Sequence, residues 1–122
     1  MSESLRWSVE GRRVRLAEGP GMDPMTLAAM LGEVVSRERI SIRGLAARVG
    51  RSSPWVSNIM SLLRLDPAVQ QMVRSGAISV SHAKAISRLP AESQVRLAQR
   101  CVKFDLSSHA LEGLAMRERT RR

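Results

Sequence analysis

The sequence predicts an all-α fold, a compact bundle of about seven short helices, from three observations. Apolar residues recur at i, i+3, i+4 and i+7 through most of residues 24–116. Capping residues stand before these stripes, at Asp23-Pro24, Ser41, Ser52, Asp66-Pro67 and Ser79. The connections between stripes are brief, and no fixed-period self-similarity marks a solenoid. No apolar run reaches the roughly 18 residues of a membrane span, and MSESLRWSVEGRR lacks the apolar core of a signal peptide. The expectation is therefore a soluble, cytoplasmic chain with no membrane partner.

Residues 1–22 form the arm that precedes the helices. Leu5, Trp7 and Val9 alternate with polar neighbours, Glu10-Gly11 can turn, and Val14 and Leu16 alternate again, as in a small β-hairpin. Such a hairpin is marginal alone, so it must dock on the helices or on a second subunit. A partly ordered tail is the other reading, and Arg6, Arg12, Arg13 and Arg15 would make the segment a basic arm if it touched DNA. Glu18 to Gly21 reads as a linker.

The helical domain is expected over 23–117, followed by a basic tail over 118–122. Asp23 caps the first helix and Pro24 suits its first position, because the N–H that proline lacks would have no partner there. Leu27, Met30, Leu31, Val34 and Val35 are its predicted buried stripe, and it should end near Glu38 or Arg39. Ile42 to Val49 follows, with Ile42, Leu45, Ala46 and Val49 on one face and Gly50 as the turn residue. Ser52 opens the next helix, predicted to run to Arg64 with Val56, Ile59, Met60 and Leu63 inward. Only Gly50 to Ser53 separate these two stripes, so the pair reads as a helix-turn-helix. Its second member exposes Ser53, Ser57, Asn58 and Ser61, small hydrogen-bonding groups flanked by Arg51 and Arg64 that suit a DNA major groove.

Further helices are predicted from Pro67 to about Ser75 (Val69, Met72 and Val73 inward), Val80 to Leu89 (Ala83 and Ile86) and Ala91 to Phe104. The last of these should bury Leu97, Ala98, Cys101, Val102 and Phe104. Ser107 or Ser108 opens a final helix expected to bury Ala110, Leu111, Leu114 and Met116.

Charge locates the partner. The net charge is +9, and +8 of it falls between Arg39 and Arg100, around the helix-turn-helix, which points to a polyanion. Eighteen of the twenty cations are arginine, whose forked guanidinium matches phosphate and guanine. One cysteine, two histidines, no paired carboxylates and no Gly-rich loop leave no constellation for a metal, a cofactor, a small-molecule substrate or a nucleophile, so no enzymatic activity is expected. Single-stranded RNA recognition needs stacking platforms, and the aromatics are only Trp7, Trp55 and Phe104.

The centre of the chain resembles the DNA-binding domain of the ParB/KorB partition proteins. Leu45-Ala46, Val49-Gly50, Ser52, Val56-Ser57-Asn58, Leu62-Leu63, Leu65, Pro67, Val69-Gln70, Met72-Val73, Gly76, Ile78-Ser79, His82-Ala83 and Ala85-Ile86 carry the resemblance, over roughly residues 24–115. It implies a bacterial, sequence-specific double-stranded DNA-binding protein that reads a palindromic site, as a homodimer at least on DNA. Its role would be transcriptional regulation or plasmid and mobile-element maintenance. Positions carried over are Ser52, Ser53, Trp55, Ser57, Asn58 and Ser61 on or beside the recognition helix, and Ser81, His82 and Lys84 on a later one. Ser61 stands where arginine is common, Ser81 replaces a glycine and Lys84 an arginine, departures that bear on which site is read. Arg43, Arg48, Arg51, Arg64 and Arg88 are the candidate phosphate clamps. The family's nucleotide-binding and C-terminal dimerisation domains have no counterpart here, so a stand-alone relative without CTP chemistry is expected. Ser57 and Asn58 could instead simply face solvent, and Trp55 could be a core anchor rather than a phosphate contact. Taken whole, the basic face could alternatively dock an acidic protein partner.

Overall fold

The computed structural model describes residues 7–16 and 23–120, and Leu5, Arg6 and the 18–21 linker lie outside them. Two strands, β1 (Trp7–Glu10) and β2 (Arg13–Leu16), precede seven helices: α1 (Pro24–Glu38), α2 (Ile42–Val49), α3 (Ser53–Met60), α4 (Pro67–Arg74), α5 (Val80–Ile86), α6 (Ala91–Phe104) and α7 (Ser108–Thr120). The all-α class and the small hairpin are as the sequence predicts. The chain divides into two compact units, one ending at Leu63 and one beginning at Arg64.

In the first unit the strands pair antiparallel, Trp7 opposite Leu16 and Val9 opposite Val14. Gly11 takes the left-handed, positive-φ conformation needed at the first central position of a tight hairpin turn. The hairpin docks on the helices: Trp7 and Val14 are buried, β2 packs on α2, and the Trp7 indole N–H donates to the Glu33 carboxylate on α1. Asp23 caps α1 by accepting from the Thr26 N–H at 2.9 Å, and Ser41 caps α2 by accepting from Gly44 at 3.0 Å. Gly50, also left-handed, ends α2 with its N–H on the Ala46 carbonyl. α1 and α2 both pack on α3 around Ala28, Leu31, Val34, Leu45, Val56 and Leu62, whereas Ile42, expected on the inner face of α2, is exposed at its first position.

α3 departs from the predicted stripe. It stops at Met60, and a 3-10 turn (Ser61–Arg64) follows. Tightening from about 3.6 to about 3.0 residues per turn rotates the side chains that come after, so Leu62 is buried while Leu63, expected inward, is exposed. Ser61, expected on the outer face, is turned in, and its hydroxyl donates to the Asn58 carbonyl at 2.6 Å.

The second unit holds α4 to α7 around Val69, Val73, Ile86, Leu97, Ala98, Cys101, Leu111 and Ala115. Asp66 caps α4, accepting from Ala68 at 2.9 Å. α5 ends at Ile86 rather than Leu89, because Leu89 turns in on a Leu89-to-Ile86 backbone bond before Pro90. α6 has the predicted bounds but a different buried face, comprising Ser93, Gln94, Leu97, Ala98 and Cys101. That i, i+1, i+4, i+5, i+8 set leaves Val102 and Phe104 off the face and exposed. α7 likewise buries Leu111 and Ala115, one turn apart, with Leu114 half-buried and Ala110 and Met116 exposed. It is helical to Thr120, and Glu118 receives hydrogen bonds from Arg96 at 2.8 Å and Ser93 at 3.2 Å on α6.

Gln94 is the polar centre of this unit. Its carbonyl accepts from the Asp66 N–H at 2.7 Å, and its amide donates to Leu89 O at 2.9 Å and Ser87 O at 3.2 Å. One side chain thereby satisfies the start of α4 and the end of the α5–α6 connection, groups that would otherwise be buried without partners.

Candidate nucleic-acid interface

Three residues prepare the start of α3. Ser52 caps the helix, its hydroxyl accepting from the Trp55 N–H at 3.2 Å. Pro54 occupies the first turn, where its missing N–H removes no helical bond. Arg51 lies over the Trp55 ring at 4.6 Å, and the half-buried Trp55 serves as a platform for the guanidinium. Ser52, Ser53, Pro54 and Ser57 are exposed, and they form the outward face of α3 nearest its N-terminus. An exposed helix start with positive dipole, an arginine and small hydroxyl side chains is chemically suited to phosphate and base-edge contacts.

Other sequence-predicted residues of the first unit take varied positions. Arg43, near the start of α2, is exposed. Arg48 is half-buried and pairs with Glu38 at 3.6 Å. Asn58 sits at the rim of the face, half-buried, and its Oδ1 is buried without a hydrogen-bond partner. A bidentate contact to adenine needs both ends of the amide, and the buried Oδ1 is not placed to make one. Ser61 is not on the face at all, because the 3-10 turn buries it.

In the second unit, Ser81 and Lys84 are exposed about one turn apart on α5, and Arg88 is exposed just beyond its end. Arg64 is exposed where this unit begins. His82 has both ring nitrogens engaged. Nδ1 meets the Ser79 N–H at 3.1 Å and the Ser79 hydroxyl at 2.9 Å, and Nε2 meets the Leu106 carbonyl at 2.8 Å. Because a carbonyl only accepts, Nε2 carries the proton and Nδ1 is the acceptor. His82 therefore positions α5 against the α6–α7 connection instead of offering a ring nitrogen to solvent. The sequence signals only the Ser79 half of this, a serine cap with histidine three residues on, the spacing of a capping box.

Among the described residues no group of three or more His, Cys, Asp or Glu side chains could hold a metal ion, and no helix is long and apolar enough to cross a membrane.

Two short helices joined by Gly50 to Ser52, with the second capped, exposed at its start and flanked by arginine, define a helix-turn-helix protein. Residues 21–120 match the ParB HTH domain, and the chain belongs to that family. It is 34% identical over 93 residues to the probable chromosome-partitioning protein ParB of Mycobacterium leprae, covering 75% of this chain and 28% of that one. With the protein of the same description from Neisseria meningitidis serogroup A the identity is 31% over 91 residues, covering 75% and 32%. The chain thus spans about a third or less of these relatives. The fold matches C-terminally truncated chromosome-partitioning ParB from Caulobacter crescentus complexed to the centromeric parS site, with a TM-score of 0.73 at 27% identity, covering 79% of this chain and 50% of that one. A ParB DNA-binding domain, also complexed to parS, matches with a TM-score of 0.70 at 28% identity, covering 78% and 77%.

Proposed function

We propose that this chain is a sequence-specific double-stranded DNA-binding protein of the ParB type that places the start of α3 in the major groove. The observation that carries this reading is the outward face Arg51, Ser52, Ser53 and Ser57 on a capped second helix, in a family with solved members complexed to a centromeric site. Ser53 and Ser57 face the base edges, with Asn58 joining them on rotation, while Arg43, Arg48, Arg51 and Trp55 address the adjacent backbone. In the second unit Arg64, Ser81, Lys84 and Arg88 are phosphate contacts, and His82 holds α5 in place for them. The chain acts by binding, without cofactor or catalysis. Its role is DNA partition or plasmid and mobile-element maintenance, with transcriptional control as a consequence of occupying a promoter. A palindromic site read by two copies, with half-sites about 34–36 Å apart or a multiple of that, is the arrangement a two-fold dimer requires.

Selection of bound fragments from genomic DNA tests binding, sequence and symmetry together. The expected result is one enriched motif with inverted repeats, and light scattering should find two copies per selected duplex. Recovery of no enriched motif at physiological salt, with capture of a protein partner instead, would replace this reading with that of an acidic-partner adaptor.

A further inference from the structure

The first unit carries a second basic feature beside the helix-turn-helix. A cleft of about 390 Å³ is lined by Arg13 and Arg15 of β2 and by Arg48, Gly50 and Arg51 at the end of α2 and the turn. Four arginines contribute to the lining of this one cleft. Glu10 lies 3.8 Å from Arg15, and Glu38 lies 3.6 Å from Arg48. Both side chains of the Arg15–Glu10 pair are exposed, and exposed pairs of this kind are readily exchanged for another anion.

The cleft is also built on fixed supports. Trp7 is buried, its indole N–H is bonded to Glu33, and Arg37 lies 5.8 Å from its ring, which holds the hairpin to α1. Arg51 is stacked on Trp55. Arg51 belongs at once to the cleft and to the turn that opens α3, so the cleft borders the surface proposed to enter the major groove. A duplex backbone runs alongside an inserted helix at that position.

We infer that this cleft takes a backbone phosphate of duplex DNA, so that the N-terminal hairpin is a second DNA-contacting element next to the helix-turn-helix. The inference rests on the DNA-binding reading above. Arginines supplied by two elements, β2 and the end of α2 with its turn, suit a phosphodiester, and a phosphate contact is indifferent to base sequence. Free inorganic phosphate has the same chemistry and is separated from DNA by experiment.

The test measures affinity for a duplex of random sequence, about four helical turns long, across a salt series, with the full chain and with Arg13→Ala/Arg15→Ala. Each lost phosphate contact flattens the log K against log salt slope by about 0.9, so the double variant should lose about one to two units of slope and bind roughly tenfold more weakly at low salt. Both side chains are exposed, so the circular dichroism should be unchanged. Should that variant misfold, Arg13→Gln/Arg15→Gln keeps the side-chain length and polarity and makes the same prediction. A steep wild-type slope that both double variants share overturns the cleft while leaving the helix-turn-helix reading intact. A wild-type chain with no duplex affinity at low salt overturns both. Inorganic phosphate is titrated separately against the arginine Nε–H resonances. Saturation at Arg13 and Arg15, together with a duplex slope that ignores the double variants, would reassign the cleft to a small phosphate and overturn the DNA assignment.

Discussion

Ser52 and Arg51 are neighbours with divided duties. The Ser52 hydroxyl is engaged in capping α3, and the Arg51 guanidinium lies over the Trp55 ring, so under the proposed function the arginine is the one assigned to an approaching phosphate. Arg51→Ala should therefore weaken binding to specific and random duplex alike, by roughly 1 kcal/mol or more, with a flatter salt slope. Asn58→Ala should instead erode discrimination between sites, by about 1–3 kcal/mol, while random-duplex affinity stays near the wild-type value. Competition titrations on both duplexes check this, and equal losses for both variants on both duplexes would refute the division. The serines at 53 and 57 can be assigned to the outer face from spacing alone, since the apolar stripe at Val56 and Ile59 sets the rotation of the helix. Ser61 cannot. Its direction depends on where α3 changes to a 3-10 turn, and no residue type announces that change.

At the level of elements, the sequence marks starts better than ends or faces. Asp23, Ser41, Ser52, Asp66 and Ser79 each cap the helix that the sequence predicts them to open, because a cap is a local bond between a side chain and an N–H two or three residues away. The buried face of α6 is harder to read, since it depends on what packs against it. Periodicity favours the apolar Val102 and Phe104, whereas packing against α4, α5 and α7 buries Ser93 and Gln94. Burying Gln94 is permissible only because its amide is satisfied at both ends. Gln94→Leu keeps the volume but leaves the Asp66 N–H and the Ser87 and Leu89 carbonyls without their partner. The expected loss is about 3–5 kcal/mol, read as a fall in the urea midpoint, with hydrogen-exchange protection lost from α4 and α6. A loss below about 1 kcal/mol would show that these backbone groups find partners elsewhere.

Across the whole molecule, charge and stability respond to different residues. Burial pushes the Cys101 thiol up from its ordinary range, where it donates to the Leu106 carbonyl at 3.6 Å. The unfolded chain thus loses this proton at lower pH than the folded one. Stability contributed by the neutral thiol is full below the ordinary thiol range and declines as pH rises through it. Urea midpoints between about pH 7 and 10 should fall more steeply for the wild type than for Cys101→Ala, and parallel profiles would count against it. Local bonds, periodicity and counting suffice to set the all-α class, the helix starts, the helix-turn-helix and the concentration of positive charge between Arg39 and Arg100, and all four are legible in the amino-acid order. Three features had to wait for packing: Ser61 turns inward, His82 is spent holding α5 to Leu106, and two hairpin arginines share a cleft with Arg48 and Arg51. Each of these joins residues through helix rotation or across more than twenty positions of chain, and such relations are settled by side-chain packing rather than by local preference.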